Sequence, residues 1–296
     1  MKKYHWPRRV LSLLLCLVMV LGFFPNGIVD RAAAATGYVT DNLVLHLDAN
    51  NNTGLGFDPN ATTWKNLASG GELIKINGQT WGTDATYGSR YLDFDDNYIL
   101  LPESVRQTLS GTEFTIEFVL EDFVDGGNIN NVMCVTGADS YISQFKANGG
   151  AKNPLSSVVN DNFVIFAWGG GSHSFRTCYG TNPWNTINAY ASVGLNALNK
   201  KTNSLTFSST AGSKWYQDGV NKSTGANQAP GKTITLDGYL EDGVWQTANK
   251  PQIAFGAASD MIASRFFDAK VRAVRIYSDT LSTAEMQQNA AMDAQK

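Results

Sequence analysis

Apolar and polar positions alternate along most of this chain rather than recurring at the three-and-four spacing of an amphipathic helix. Over residues 42–48, Leu43, Leu45 and Leu47 fall on one side and Val44, His46 and Asp48 on the other. Residues 91–101 read as another strand, interrupted by the polar turn Asp95-Asp96-Asn97. The strictest alternation spans 113–121: Phe114, Ile116, Phe118 and Leu120 point one way, Glu113, Thr115, Glu117 and Glu121 the other. That pattern predicts one face on the core and one in water. Further strands are expected at 162–168, 204–208, 214–217, 252–256 and 270–277, with Asp218-Gly219 as a tight hairpin turn. Helical periods do not intervene, so the chain is predicted to be all-β, an antiparallel sandwich or barrel.

One helix signal sits near the C-terminus. In Leu281-Ser282-Thr283-Ala284-Glu285-Met286, Ser282 and Glu285 have the spacing of a capping box. Leu281 and Met286 occupy the two positions of a hydrophobic staple, so a short C-terminal helix is expected.

Composition agrees and adds a compartment. With 296 residues, 43% hydrophobic and 17% charged, the chain can bury a core, and its 28 glycines suit many turns. Lys2, Lys3, Arg8 and Arg9 precede an apolar run at 10–24, and Ala32, Ala33, Ala34 and Ala35 supply small residues for cleavage. Residues 1–35 therefore read as a signal peptide cut after Ala35, leaving a single domain over 36–296 that is secreted and extracellular, free or attached to a cell surface. The run is too short for a span of ~20 residues, so no membrane span is expected after cleavage. The leader holds five basic residues and one acid; without it, 18 basic stand against 25 acidic residues, a net charge of −7. No basic stripe exists to neutralise phosphates, which argues against nucleic acid as a partner. Cys134 and Cys178 remain, either as one disulfide or as small buried hydrophobes.

Several segments resemble a known family. Residues Phe267 to Tyr277, followed by Leu281, Ser282 and Glu285, are similar to the closing signature of laminin G-like domains, within the concanavalin A-like lectin and glucanase superfamily. The stretch Leu43-Val-Leu-His-Leu-Asp48 resembles the first strand of the three-element bacterial subgroup, and Thr63-Trp64-Lys-Asn-Leu67 its next stretch. Trp215-Tyr216-Gln-Asp218-Gly219 is similar to the family's aromatic hairpin, and Phe114-Thr-Ile-Glu-Phe118 to an inner strand. Ala269 departs from the glycine common there. The resemblance implies a concanavalin A-like jelly roll of two sheets, often with calcium and often with a glycan-binding or adhesive role.

The superfamily also includes glycoside hydrolases with three acids at Glu-x-Asp-x-Glu spacing. Here Glu117 and Glu121 keep the outer pair, but Val119 stands at the middle position, so no catalytic residue is assigned and the pair reads as a solvated strand face. His46 reads as structural and His173 falls in a glycine-rich loop, so neither supplies a convincing base.

Sugar binding asks for aromatic faces beside polar partners. The loop-like stretch 168–184 concentrates Trp168, His173, Arg176, Tyr179, Asn182 and Trp184, and a second loop-like stretch offers Tyr239 and Trp245. These are the candidate ligand-binding residues; Trp64, Trp81 and Trp215 are assigned to packing. For calcium, Asp48 and the Asp93, Asp95, Asp96 and Asn97 cluster supply oxygens, without an EF-hand pattern. The leading reading is a secreted, non-catalytic module binding a glycan or cell-surface glycoprotein. The alternatives are a glycoside hydrolase or polysaccharide lyase of the same fold, and a structural spacer in a larger surface protein.

Overall fold

The computed structural model describes residues 37–95, 97–123, 129–136, 163–168, 174–179, 187–192, 200–223, 234, 236, 239–241, 244–246, 251–257 and 268–296. Its strands are β1 (Leu43–Asp48), β2 (Thr63–Lys65), β3 (Leu73–Lys75), β4 (Thr80–Thr83), β5 (Arg90–Phe94), β6 (Ile99–Leu101), β7 (Glu113–Glu121), β8 (Ile129–Thr136), β9 (Phe163–Trp168), β10 (Ser174–Tyr179), β11 (Ile187–Ser192), β12 (Thr202–Ser208), β13 (Gly212–Gln217), β14 (Val220–Asn221), β15 (Tyr239–Glu241), β16 (Val244–Gln246), β17 (Gln252–Phe255) and β18 (Ala269–Tyr277). Among the described residues two α-helices accompany them, α1 (Glu103–Leu109) and α2 (Thr283–Asp293), with a 3-10 turn at Ala49–Asn51.

The larger sheet runs β14-β13-β12-β7-β18-β5-β4, with β1 also paired to β18; the second runs β11-β10-β9-β8-β17-β6. Every pairing is antiparallel. One apolar cluster joins the two sheets: Leu45, Ile116, Phe118, Leu205, Trp215 and Val274 from the first, Met133, Ile165, Ile253 and Phe255 from the second. The Phe94 and Phe255 rings meet edge to face across it at 5.7 Å. The expected all-β sandwich with a short C-terminal helix is what the chain forms.

Residues 91–101 divide into β5 and β6, which belong to different sheets, so the single strand expected there is two. Helix α1 has no counterpart in the sequence reading, since its seven residues offer barely two turns of periodicity. The stretches 168–184 and 239–245, read as loops, contain β10 and the β15–β16 hairpin; glycine-rich flanks hid the short strands between them.

Of the expected wet face of β7, Glu113 is exposed but the rest is not wet. Thr115, Glu117, Val119 and Glu121 are all buried along with the core-facing residues. Helix α2 and the segment at Tyr38 and Val39 cover this side: Asn289 donates to Glu117, Tyr38 donates to Asp293, and Val39, Tyr277, Leu281 and Met286 form a separate apolar cluster. The capping box forms as expected, with Ser282 accepting from the Glu285 N–H while Glu285 accepts from the Ser282 N–H at 2.8 Å. Asp218 and Gly219 have φ of 49° and 72°, the turn expected between β13 and β14. A Cβ on Gly219 would meet Gln287 Cγ at 2.5 Å, so this glycine also lets α2 approach the hairpin.

The two cysteines cannot pair. Cys134 opposes Val164, and Val164 opposes Cys178, so a whole strand separates them. At about 4.8 Å per strand the Cα atoms lie about 10 Å apart, beyond the ~6.8 Å a disulfide bridges. Cys134 is a buried thiol.

Candidate functional site

Pairing order, invisible in any single segment, turns the acids of β7 into a structural device. Ser204, Glu117, Arg275 and His46 form one cross-strand row over β12, β7, β18 and β1. Glu117 and Arg275 are each 0% exposed. Arg275 Nε donates to Glu117 Oε2 at 2.9 Å, Asn289 donates to the same oxygen at 2.8 Å, and Ser204 donates to Oε1 at 3.0 Å. The outer edge of the guanidinium forks onto Asp293, Nη1 to Oδ1 at 2.9 Å and Nη2 to Oδ2 at 2.6 Å. Thr202 and Tyr38 donate to the same carboxylate at 2.6 and 2.8 Å.

Met286, Asn289 and Asp293 are buried on α2 at spacings of three and four, so one face of the helix delivers an apolar contact, an amide and an acid to the sheet. Burial pushes the Glu117 carboxyl above its ordinary range, opposed by Arg275 and Asn289. Burial also opposes ionisation of Asp293, but the Arg275 fork with Thr202 and Tyr38 outweighs it and holds that acid below its ordinary range. Glu121 is 2% exposed and faces Arg272 Nη1 at 3.1 Å, and burial raises it as well. The solvated-face reading of this pair is therefore corrected: Glu117 is sealed under α2, and Glu121 is packed against an arginine.

His46 is structural, as expected, though its Nε2 is buried with no hydrogen-bond partner. Its ring meets the edge of Tyr38 at 4.9 Å. Burial first, then Arg275, pushes its pKa down to about 4. The unfolded chain therefore binds a proton on His46 between about pH 6.5 and 4 that the folded chain refuses. Its contribution is complete above pH 6.5 and fades as the pH falls toward 4, by about 3 kcal/mol at ~1.4 kcal/mol per unit. Urea denaturation at pH 7 and pH 4.5 should show this loss, and His46→Gln should flatten it; an equal slope in both proteins would refute it.

The sequence-selected ligand residues divide in two. Trp168 lies at the end of β9, Arg176 and Tyr179 on β10, and Tyr239 and Trp245 on the β15–β16 hairpin. Trp168 opposes Ser174, and Arg176 opposes Phe166 and Tyr190, so the β9–β10 members share adjoining strands. Tyr239 pairs with Gln246 and Leu240 with Trp245. His173, Asn182 and Trp184 lie outside the described residues.

Among the described residues, no three His, Cys, Asp or Glu side chains gather into a group that could hold a metal ion. Asp48 is already engaged, Oδ1 by the Asn50 N–H at 2.8 Å and Oδ2 by Lys296. Asp96 lies outside the described residues.

A surface feature that sequence reasoning missed lies at β4, a strand bonded, among the described residues, only to β5. There Pro59, Asn60, Thr62, Gln79, Thr80 and Trp81 are among the residues bounding a cleft of about 350 Å³. Trp64 and Trp215 are fully packed, as assigned, but Trp81 is half-buried and borders this cleft.

Among the described residues, no helix is long and apolar enough to cross a membrane. No protein-family profile and no curated protein matches the chain. Solved structures do. Trypanosoma rangeli sialidase in complex with 2,3-difluorosialic acid is similar with a TM-score of 0.51 and 12% identity, over 95% of this chain and 38% of the sialidase. The ligand-binding domain of botulinum neurotoxin serotype D in complex with N-acetylneuraminic acid has a TM-score of 0.50 and 12% identity, over 86% of this chain and 52% of its own. The chain thus spans about two fifths and about half of these two neighbours, and what it shares with them at such identity is an all-β fold.

Proposed function

We propose that the exported part of this chain is a carbohydrate-binding module, adhesive and laminin G-like in kind, that holds a glycan or glycoprotein without cleaving it. The observation that carries the non-catalytic half is Glu117, 0% exposed and bonded to Arg275, Asn289 and Ser204 beneath α2. A retaining glycosidase needs two carboxyl groups about 5 to 5.5 Å apart flanking a substrate. A carboxylate sealed inside three donors cannot reach one.

Support for the binding half comes from composition and fold. The chain is acidic after leader removal and concentrates aromatic, amide and guanidinium side chains at Trp168, His173, Arg176, Tyr179, Asn182, Trp184, Tyr239 and Trp245. It also shares its fold with two chains whose structures were solved in complex with sialic acid or its difluoro derivative. Aromatic faces accept the C–H side of a pyranose while amide and charged groups take its hydroxyls.

The exported domain should retain glycans on an array of neutral and sialylated oligosaccharides. The double variant Trp184→Ala/Trp245→Ala should weaken the signal at least tenfold. An empty array overturns the binding reading; a full signal from the double variant removes these residues from the site. A parallel array with chelator decides whether calcium takes part.

A further inference from the structure

We infer that the cleft beside β4 is a binding site for an uncharged pyranose, with Gln79 and Trp81 as its principal contacts. This rests on the carbohydrate-binding reading and adds a place and a ligand class that the aromatic segments do not supply.

The first observation is an unmet hydrogen bond. Gln79 borders the cleft and is 6% exposed; its Oε1 accepts from the Asn77 N–H at 2.6 Å, whereas its Nε2 is buried with no partner. A buried amide N–H left without an acceptor costs about 1–3 kcal/mol, which an occupant's hydroxyl or carbonyl oxygen would recover once a small shift of the Gln79 side chain brings Nε2 to the cleft.

The second observation is a fixed aromatic. Trp81 is held edge-on by Trp64 at 5.2 Å and by Phe57 at 6.2 Å, and its Nε1 donates to the Ala61 carbonyl at 2.8 Å. A ring already fixed in place loses little freedom on stacking against a ligand. Its half-buried position leaves part of the surface bordering the cleft.

The chemistry of the lining selects the ligand. Pro59, Asn60, Ala61, Thr62, Ile76, Gly78, Gln79, Thr80 and Trp81 include no ionisable group, so the cleft has nothing to pair with a carboxylate or an ammonium. Asn60, Thr62 and Thr80 are exposed and offer an amide and two hydroxyls. A volume of about 350 Å³ lies at the small end of ligand sites, which suits one or two sugar units.

The test is a titration of the exported domain by saturation-transfer NMR with methyl α-D-mannopyranoside, methyl β-D-galactopyranoside and N-acetylglucosamine, using N-acetylneuraminic acid as the charged probe. Two variants are compared with wild type: Gln79→Met, which removes the unmet donor at similar size, and Thr80→Arg, which fills the cleft from an exposed edge position. At least one neutral sugar should bind, and both variants should weaken it tenfold or more while the array signal from larger glycans persists. Should Gln79→Met fail to fold, Thr80→Arg alone carries the test. Neutral-sugar binding that Thr80→Arg leaves unchanged overturns this site and leaves the carbohydrate reading standing. Binding of N-acetylneuraminic acid alone also overturns it. A wild type that binds neither these sugars nor any array glycan overturns both.

Discussion

Replacing Arg275 by alanine should lower folding stability by about 3–5 kcal/mol, because the substitution leaves Glu117 and Asp293 buried without their cation. The magnitude follows from asymmetry. A buried ion pair adds little over a well-packed apolar substitute, yet removing one member exposes the full desolvation cost of the others. Glu117 is 0% and Asp293 7% exposed, so water cannot take over the arginine's role. Urea denaturation of wild type, Arg275→Ala, Glu117→Gln and the double variant forms a complete cycle. Neutralising Glu117 should make the loss of Arg275 less costly, a coupling of about 0.5–3 kcal/mol. Strict additivity would mean that the two side chains do not depend on each other.

The larger effect is expected from removing α2. A chain ending at Thr280 loses Leu281 and Met286 from the cluster with Val39 and Tyr277, each worth about 1.5–3 kcal/mol. It also loses Asn289 and Asp293, which bond Glu117, Arg275, Thr202 and Tyr38. Added to the ion-pair cost of about 3–5 kcal/mol, the total reaches about 6–11 kcal/mol, the scale of an ordinary domain's whole stability. The truncated chain should therefore lose near-ultraviolet circular dichroism and a cooperative urea transition at 25 °C. A sharp transition at the wild-type midpoint would show that the helix is an appendage rather than a cover.

These two expectations rest on a face that the sequence could not reveal. The alternation of Phe114, Ile116, Phe118 and Leu120 gives β7 and its core side correctly, since a period of two belongs to the strand itself. What covers the opposite side depends on a helix about 170 residues away, and no local period encodes it. One signal was present: Arg272 and Arg275 stand among the apolar residues of 271–276, and an arginine in such a place demands a partner. Its identity as Glu117 depends on β18 lying beside β7, a pairing set by topology. The capping box at Ser282 and the turn at Asp218-Gly219 were legible for the opposite reason, since all their determinants lie within four residues.

The candidate site was less legible still. Trp81 carries no mark that separates a packing tryptophan from one half-exposed at a sheet edge, and the unmet amide of Gln79 exists only once the chain has folded around it. Likewise, the glycines around 168–184 suggested a loop, although β9 and β10 pair there residue by residue from Phe163–Tyr179 to Trp168–Ser174.

The most direct test is to incubate residues 36–296 with an oligosaccharide that they retain on an array, recover the glycan from the complex and weigh it by mass spectrometry. An intact glycan is expected, released only when the protein is denatured or the glycan competed off. A shortened or unsaturated product, lost with Glu117→Gln, would contradict it.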